Sequence, residues 1–271
     1  MLLVGYSDRM LLARQVRNVR VGANRRQGQG YDGVGLMSKD NTNIRVVHTS
    51  DPEATLDVVE DSLAHLWKAV DDLSRIRPPK QEFYRVTIFG SARMLPGDRI
   101  YQKTRRLAAM LTDLGADIVT GGGPGLMQAA NEGAALGDSE NQTRSFGLPI
   151  ELPHEEEANP FVEEIYRHRT FFTRLHRFVR LSSAFIIVPG GIGTTLELMM
   201  IWQLCQVKHI RTLPLIAIGE MWSELVEWGR DHMLSYDPPL AAPEDLELLR
   251  CVADVDEAVA IIEQDIRVFN E

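Results

Sequence analysis

The chain has 271 residues, 44% hydrophobic and 25% charged, with a formal net charge of −9. That is sequence enough to bury a core without disulfides or metals, and no apolar run approaches the roughly 20 residues a membrane span needs. The charge is unevenly placed: residues 1–50 hold eight Lys/Arg against three Asp/Glu, and the remainder holds 21 against 35. A body that acidic repels polyanions and argues against a dedicated nucleic-acid or anionic-membrane binder, whereas a local site of backbone N–H groups still attracts a small anion.

Residues 1–50 read as a basic Gly/Arg-rich tail. The first 36 carry six Gly and six Arg, including GANRRQGQGYDG at Gly22 to Gly33, without sustained periodicity. A flexible tail, or a start upstream of Met37, accounts for that composition better than an organellar address. From Asp51 to Pro78 the chain reads as one amphipathic helix. Leu56, Val59, Leu63, Leu66, Val70 and Leu73 recur at three- and four-residue steps, and Pro78-Pro79 ends the run.

After the prolines, strand and helix alternate. Tyr84–Phe89 predicts a strand, Arg99–Leu114 a helix, Asp117–Thr120 a strand and Leu126–Leu136 a helix. Ser145–Ile150 and Val162–Arg167 predict further strands on either side of an acidic loop at His154–Pro160. Then follow a helix at Phe172–Leu181, a strand at Ala184–Val188 and a helix at Thr194–Val207. A strand at Leu213–Ile218, a helix at Met221–Leu234, a short strand at Arg250–Ala253 and a helix at Asp256–Phe269 complete the pattern. Wholly apolar strands, each followed by a helix, mean a parallel sheet covered on both faces. The expected architecture is α/β, a doubly wound parallel sheet of Rossmann-like type, formed by residues 79–271 as a single domain. In such sheets ligands bind beyond the carboxyl ends of the strands.

Three glycine-bearing loops fall where that rule puts ligands. Gly90-Ser91-Ala92-Arg93 follows the first strand and Gly121-Gly122-Gly123-Pro124-Gly125-Leu126-Met127 the second. Pro189-Gly190-Gly191-Ile192-Gly193-Thr194-Thr195-Leu196-Glu197 follows AFIIV. In the last loop the glycines admit close backbone approach, and a helix starting near Thr194 offers unpaired N–H groups and a positive dipole end to a phosphate. Thr194 and Thr195 add hydroxyl donors. Glu197, three residues beyond Thr194, is expected on the same face of the first turn, beside the phosphate and suited to a cationic ribosyl carbon. The bland reading of each loop is a tight βα turn, but three on successive strand ends point to a site. GGGPGL lacks the GxGxxG spacing of a dinucleotide fold, and no GK[ST] of a P-loop occurs.

TGGGPGLMQAANEGA at Thr120–Ala134 and PGGIGTTLE at Pro189–Glu197 resemble the LOG (Lonely Guy) family, together with FGSAR, LPHEEEANP and FFTRLHRF. Members of that family are nucleoside 5′-monophosphate phosphoribohydrolases long labelled lysine decarboxylases. The resemblance implies a catalytic glutamate at Glu197 and a catalytic arginine at Arg174. It also implies a phosphate loop at Gly190, Gly191, Gly193, Thr194 and Thr195, and substrate contacts from Ser91, Gly121, Gly122, Gly123, Gly125 and Met127. The plant form reads ERK around its arginine; here Thr173-Arg174-Leu175 stands instead. The activity so implied is hydrolysis of AMP or an N6-modified adenine nucleotide to free base and ribose 5-phosphate, with no cofactor or metal, in a homodimer or higher homo-oligomer. A non-catalytic nucleotide- or cofactor-binding protein is the alternative, and the Arg174 and Glu197 pair argues against it.

A pyridoxal-phosphate decarboxylase needs a Schiff-base lysine. None of Lys39, Lys68, Lys80, Lys103 and Lys208 falls in the glycine loops, so that chemistry is not expected. His168 and His176 lack metal-ligand spacing and read as surface or hydrogen-bonding residues. Glu155 in the acidic loop is a further candidate to line the site. Met199 and Met200 read as core. Trp202, Trp222 and Trp228 read as packing or interface anchors, and Ser182-Ser183 lacks a hydrolase setting. Cys205 and Cys251 show no CxxC spacing and suit a reducing cytoplasm.

Overall fold

The structure is a computed structural model that describes residues 82–151, 158–210 and 213–271, together with Leu56, Val59 and Leu63. The chain divides into two units, residues 1–73 and 74–271. In the first, Leu56, Val59 and Leu63 are helical, and each is about half exposed. The rest of the expected leading helix, the basic tail and Glu155 lie outside the described residues.

Among its described residues the second unit carries seven strands: β1 Arg85–Phe89, β2 Asp117–Thr120, β3 Ser145–Gly147, β4 Glu164–Ile165, β5 Ala184–Ile187, β6 Leu215–Ile218 and β7 Arg250–Val252. Between them run α1 Arg99–Asp113, α2 Leu126–Gly137, α3 Phe171–Leu181, α4 Ile192–Gln206, α5 Glu220–Met233 and α6 Pro243–Glu247, with α7 Val255–Asn270 last. All seven strands are parallel, in the order β4-β3-β2-β1-β5-β6-β7. This is the doubly wound α/β sheet that the alternation predicts. The chain builds outward from β1 to β4, returns to the other side of β1, and builds outward again to β7. That reversal at β1 is where such sheets open a crevice.

Strand pleating sorts the core into two layers. Val86, Ile88, Ile118, Ala184 and Ile186 face one side, under α1, α2 and α7, where Leu107, Leu111, Ala130 and Ile262 pack on them. Phe89, Val119, Phe185 and Ile187 face the other and meet Phe178 of α3, Leu198 and Trp202 of α4 and Trp222 of α5. Because both faces are covered, the strands read as unbroken apolar runs rather than alternating ones. Trp202 is a packing residue with a polar tie, its indole N–H donating to the Asp245 carbonyl of α6 at 2.7 Å. The turn α6, led by Pro243, carries no periodic stripe by which the sequence would mark it. Ser182 is structural, its hydroxyl donating to the Phe178 carbonyl at 2.7 Å and lying 2.5 Å from that of Thr87.

Two expected strands are half their predicted length or less. β3 stops at Gly147 and β4 holds two residues, since this edge of the sheet continues only as a single bridge between Ile150 and His168. Helix α4 starts at Ile192, two residues before the expected start. Gly191 is therefore its N-cap, and Glu197 sits in the second turn rather than the first. The cause is local: Gly193 tolerates helical geometry, so the first turn forms from the glycine segment itself.

Asp117 at the head of β2 is 3% exposed and ties three segments. It accepts from Arg85 Nε on β1 at 3.0 Å and from the Arg144 backbone N–H ahead of β3 at 3.0 Å. Burial raises its pKa above the usual carboxylate range, against the pull of the Arg144 amide and the Arg85 guanidinium. Removing one partner of a buried pair strands the other, so Asp117→Ala is expected to cost about 3 kcal/mol in urea unfolding. A loss under about 1 kcal/mol would show that the tie carries little.

Candidate active site at the sheet reversal

Strands β2, β1 and β5 are neighbours in the sheet, so the three glycine loops leave its carboxyl edge side by side. The backbone of Ser91 joins them. Its N–H donates to the Pro189 carbonyl of the third loop at 3.2 Å, and its carbonyl accepts from Leu126 N–H at the end of the second at 2.8 Å. The Ser91 hydroxyl accepts from the Arg93 N–H at 3.2 Å. Such approach leaves no room for side chains at two positions. A Cβ on Gly125, where φ is +72°, would strike the Ser91 carbonyl and the Ala92 backbone, and one on Gly90 would overlap Val188 and Leu126.

Arg174 and Glu197 come together over this edge from different helices. Arg174 projects from α3, which Thr170 caps by accepting the Thr173 N–H; Glu197 projects from α4. Arg174 Nη1 lies 3.1 Å from Glu197 Oε1, with the side chains 14% and 21% exposed. Arg174 Nε donates to the Leu148 carbonyl at 2.7 Å, and its guanidinium stands 5.3 Å from the Phe178 ring centroid. The guanidinium also lies over Gly121, where an added Cβ would collide with Nη2 and with Met127 Sδ. Burial pushes the Glu197 carboxyl up to about 7, the Arg174 charge opposing. A carboxyl with that affinity exchanges protons near neutrality, which is what general acid–base work requires.

The third loop supplies an open cradle. Nothing lies within 4 Å of a Cβ built on Gly191 or Gly193, and no side chain caps the first turn of α4. Its leading N–H groups and positive dipole end therefore face open space, the arrangement that holds an anion. Thr195 donates its hydroxyl to the Gly191 carbonyl at 3.0 Å, and Thr194 is buried beneath Gly190.

The sequence reading missed a buried polar network under the second loop. Thr120 Oγ1 accepts from Gly122 N–H at 2.9 Å and donates to Asn131 Oδ1 at 2.7 Å. Asn131 Nδ2 donates to Ser145 Oγ at 2.8 Å. Asn159 Nδ2 reaches Gly122 O at 3.1 Å, Gly123 O at 3.0 Å and Asn131 Oδ1 at 3.0 Å. Its one trace in the sequence is Asn131 itself, a polar side chain among the alanines of the core-facing side of α2.

His168 takes a hydrogen-bonding place, with Nδ1 3.3 Å from Thr173 Oγ1. Burial, then the charges of Arg174 and Arg177, hold its affinity for a proton below the ordinary histidine range. Arg177 stacks on Tyr166, 4.2 Å from the ring centroid. Among the described residues no three His, Cys, Asp or Glu side chains group as metal ligands. The described lysines, Lys103 and Lys208, are exposed and stand outside the glycine loops, so the residues present do not fit a pyridoxal phosphate Schiff base.

A family model described as "Possible lysine decarboxylase" matches residues 127–262. The chain belongs to that family, the LOG family. The pyrimidine/purine nucleotide 5′-monophosphate nucleosidase of Escherichia coli strain K12 is 34% identical over 125 residues, 44% of this chain and 28% of the relative. The protein of the same name from Escherichia coli O157:H7 matches with the same figures. The matched part of the chain spans 28% of the length of these curated relatives. Among solved structures, the molybdenum cofactor carrier protein of Chlamydomonas reinhardtii is similar with a TM-score of 0.51. Its identity is 16%, covering 69% of this chain and 99% of that one, and the likeness is one of fold.

The two kinds of glycine separate in stability. Gly125→Ala meets backbone at positive φ and is expected to lower stability by at least about 2 kcal/mol. Gly121→Ala meets side-chain ends alone, so it displaces the Arg174 guanidinium and Met127 at a smaller cost than the backbone collision at Gly125. Thermal unfolding of both variants checks this, and equal losses would show that the loops are not interlocked.

Proposed function

We propose that this protein hydrolyses the N-glycosidic bond of a nucleoside 5′-monophosphate, AMP or an N6-modified adenine nucleotide, to free base and ribose 5-phosphate. The observation that carries the reading is a carboxyl with a pKa of about 7, paired with a guanidinium and standing on the same helix as an open anion cradle. The relatives named nucleotide nucleosidases support the same chemistry.

In this reading the N–H groups at the start of α4, with Gly190, Gly191, Gly193, Thr194 and Thr195, take the 5′-phosphate. Gly121, Gly122, Gly123, Gly125, Met127 and Ser91 line the ribose and base. Breaking the C1′–N bond builds positive charge on C1′ and sends the bonding pair into the base. Glu197, five residues beyond the first residue of α4, is separated from the phosphate by about the rise of two helical turns or less. Its ionised form stabilises the ribosyl cation and takes one proton of the attacking water, the departing base takes a proton from solvent, and Glu197 then returns its own to solvent. Arg174 orients that carboxylate and offers its remaining N–H groups to the nucleotide.

The test is release of base and ribose 5-phosphate from a panel of nucleoside monophosphates. Glu197→Gln is expected to lower kcat by about 100- to 10,000-fold. Nucleotides that bind without being cleaved by the wild type would leave a binding protein instead. Ionised Glu197 is the active form, so kcat/KM should rise from pH 5 to 8 with a midpoint near 7. The same shift acts on stability. The folded carboxyl holds its proton up to about 7, whereas the unfolded one loses it near its ordinary value of 4.5. Wild-type stability therefore falls as pH rises between those values, a loss absent from Glu197→Gln. A variant and wild type with parallel stability profiles over pH 4–8 would contradict the buried carboxyl.

We infer, too, a homodimer in a reducing cytoplasm, where the thiols of Cys205 and Cys251 stay free. Helix α4 carries apolar side chains on two sides. Leu198, Ile201, Trp202 and Cys205 face the sheet, while Ile192, Leu196 and Met199 are exposed, as are Phe171 and Phe172 on neighbouring α3. A helix of that kind is ordinarily covered on both sides. Met199→Glu is expected to halve the mass seen by light scattering; a monomeric wild type would overturn the inference.

A further inference from the structure

We propose that Asn159 is a positioning residue that sets which way the peptides of the second glycine loop face, so that the Gly123 N–H is aimed at the sugar-phosphate of the bound nucleotide. The inference rests on the nucleotide reading above and adds a residue outside the three loops to its machinery.

Asn159 holds the loop through three bonds. Its backbone N–H donates to the Gly122 carbonyl at 2.8 Å, and its side-chain amide donates to that carbonyl at 3.1 Å and to the Gly123 carbonyl at 3.0 Å. Asn159 is itself fixed. It is 7% exposed, its Oδ1 accepts from Phe161 N–H at 3.2 Å, and its amide also bonds Asn131. In a trans peptide the carbonyl and the following N–H point in opposite directions. Turning the Gly122 carbonyl toward Asn159 therefore turns the Gly123 N–H away from it. That N–H has no hydrogen-bond partner among the described residues, and the next residue, Pro124, has no N–H to compete.

The rest of the loop agrees with this assignment. Gly122 takes φ of +76°, and its own N–H is spent on Thr120 Oγ1. A Cβ on Gly122 would press on Gly147 at 3.2 Å, so the loop lies close against β3. The Gly123 N–H is left free, and a buried, fully bonded amide dictates its direction. A glycine loop without such a clamp would sample several peptide orientations and lose part of its binding energy in ordering them.

Asn159→Ala and Asn159→Ser test the proposal. The second keeps a hydroxyl acceptor for Phe161 N–H and removes the amide donors to the loop without burying a charge, so it is the variant that holds the fold if the alanine variant does not. Ser145→Ala is the control, because it breaks the same network without touching a loop carbonyl. In both Asn159 variants the Kd for ribose 5-phosphate by calorimetry should rise about tenfold or more, and KM should rise with it. kcat per folded molecule should change less than about threefold, and Ser145→Ala should leave Kd and KM unmoved. Asn159 variants with lower Tm but unchanged Kd would reduce the residue to a structural one and overturn the proposal. A wild type that binds ribose 5-phosphate and cleaves no nucleotide would overturn the hydrolase reading alone. One that does not bind ribose 5-phosphate at all would overturn this proposal too.

Discussion

The backbone of Ser91 is the hinge of the arrangement. It hydrogen-bonds the loop after β5 with its N–H and the loop after β2 with its carbonyl, and both bonds exist because β1 lies between those strands. The order of the sheet thus becomes the shape of the site. Two glycines without Cβ atoms, Gly90 and Gly125, let the loops meet at backbone contact, and Gly121 lets the Arg174 guanidinium settle on the second loop. Each is a negative requirement, a volume that must stay empty so that two chains of atoms can touch.

Charge placement follows from the same geometry. α3 and α4 pack on one face of the sheet, on either side of Phe178 and Leu198, and from there reach the edge at which Glu197 and Arg174 meet. The pair is dry enough that the carboxyl stays at the boundary between its two protonation states. Removal of water by packing and the opposing pull of one guanidinium are together enough to tune it.

Much of this is legible in the sequence, for identifiable reasons. The sheet is, since β1, β2, β5 and β6 are apolar runs bounded by glycine, and parallel strands buried on both faces have no other pattern. The presence of glycine loops after β1, β2 and β5 is legible for the same reason. That these three strands are adjacent is not, because strand order depends on where β5 returns, and nothing local to β5 encodes its neighbour. Nor is the start of α4, because glycine is a poor helix former, and the first turn nonetheless takes in Gly193. The Asn159 clamp was invisible because its partners, Gly122, Gly123 and Asn131, stand 28 to 37 residues away in sequence. A lone asparagine after an acidic run looks like any loop residue.

Helix α4 carries Glu197 between its sheet-facing stripe and its outward apolar stripe. Anything that covers the outward stripe also strips water from the carboxylate beside it, and so strengthens that group's hold on its proton. By linkage, the reverse holds: protonating Glu197 favours whatever covers the helix. In the homodimeric hydrolase proposed above, proton uptake and association at this helix are two views of one equilibrium, and protein concentration moves the titration of Glu197.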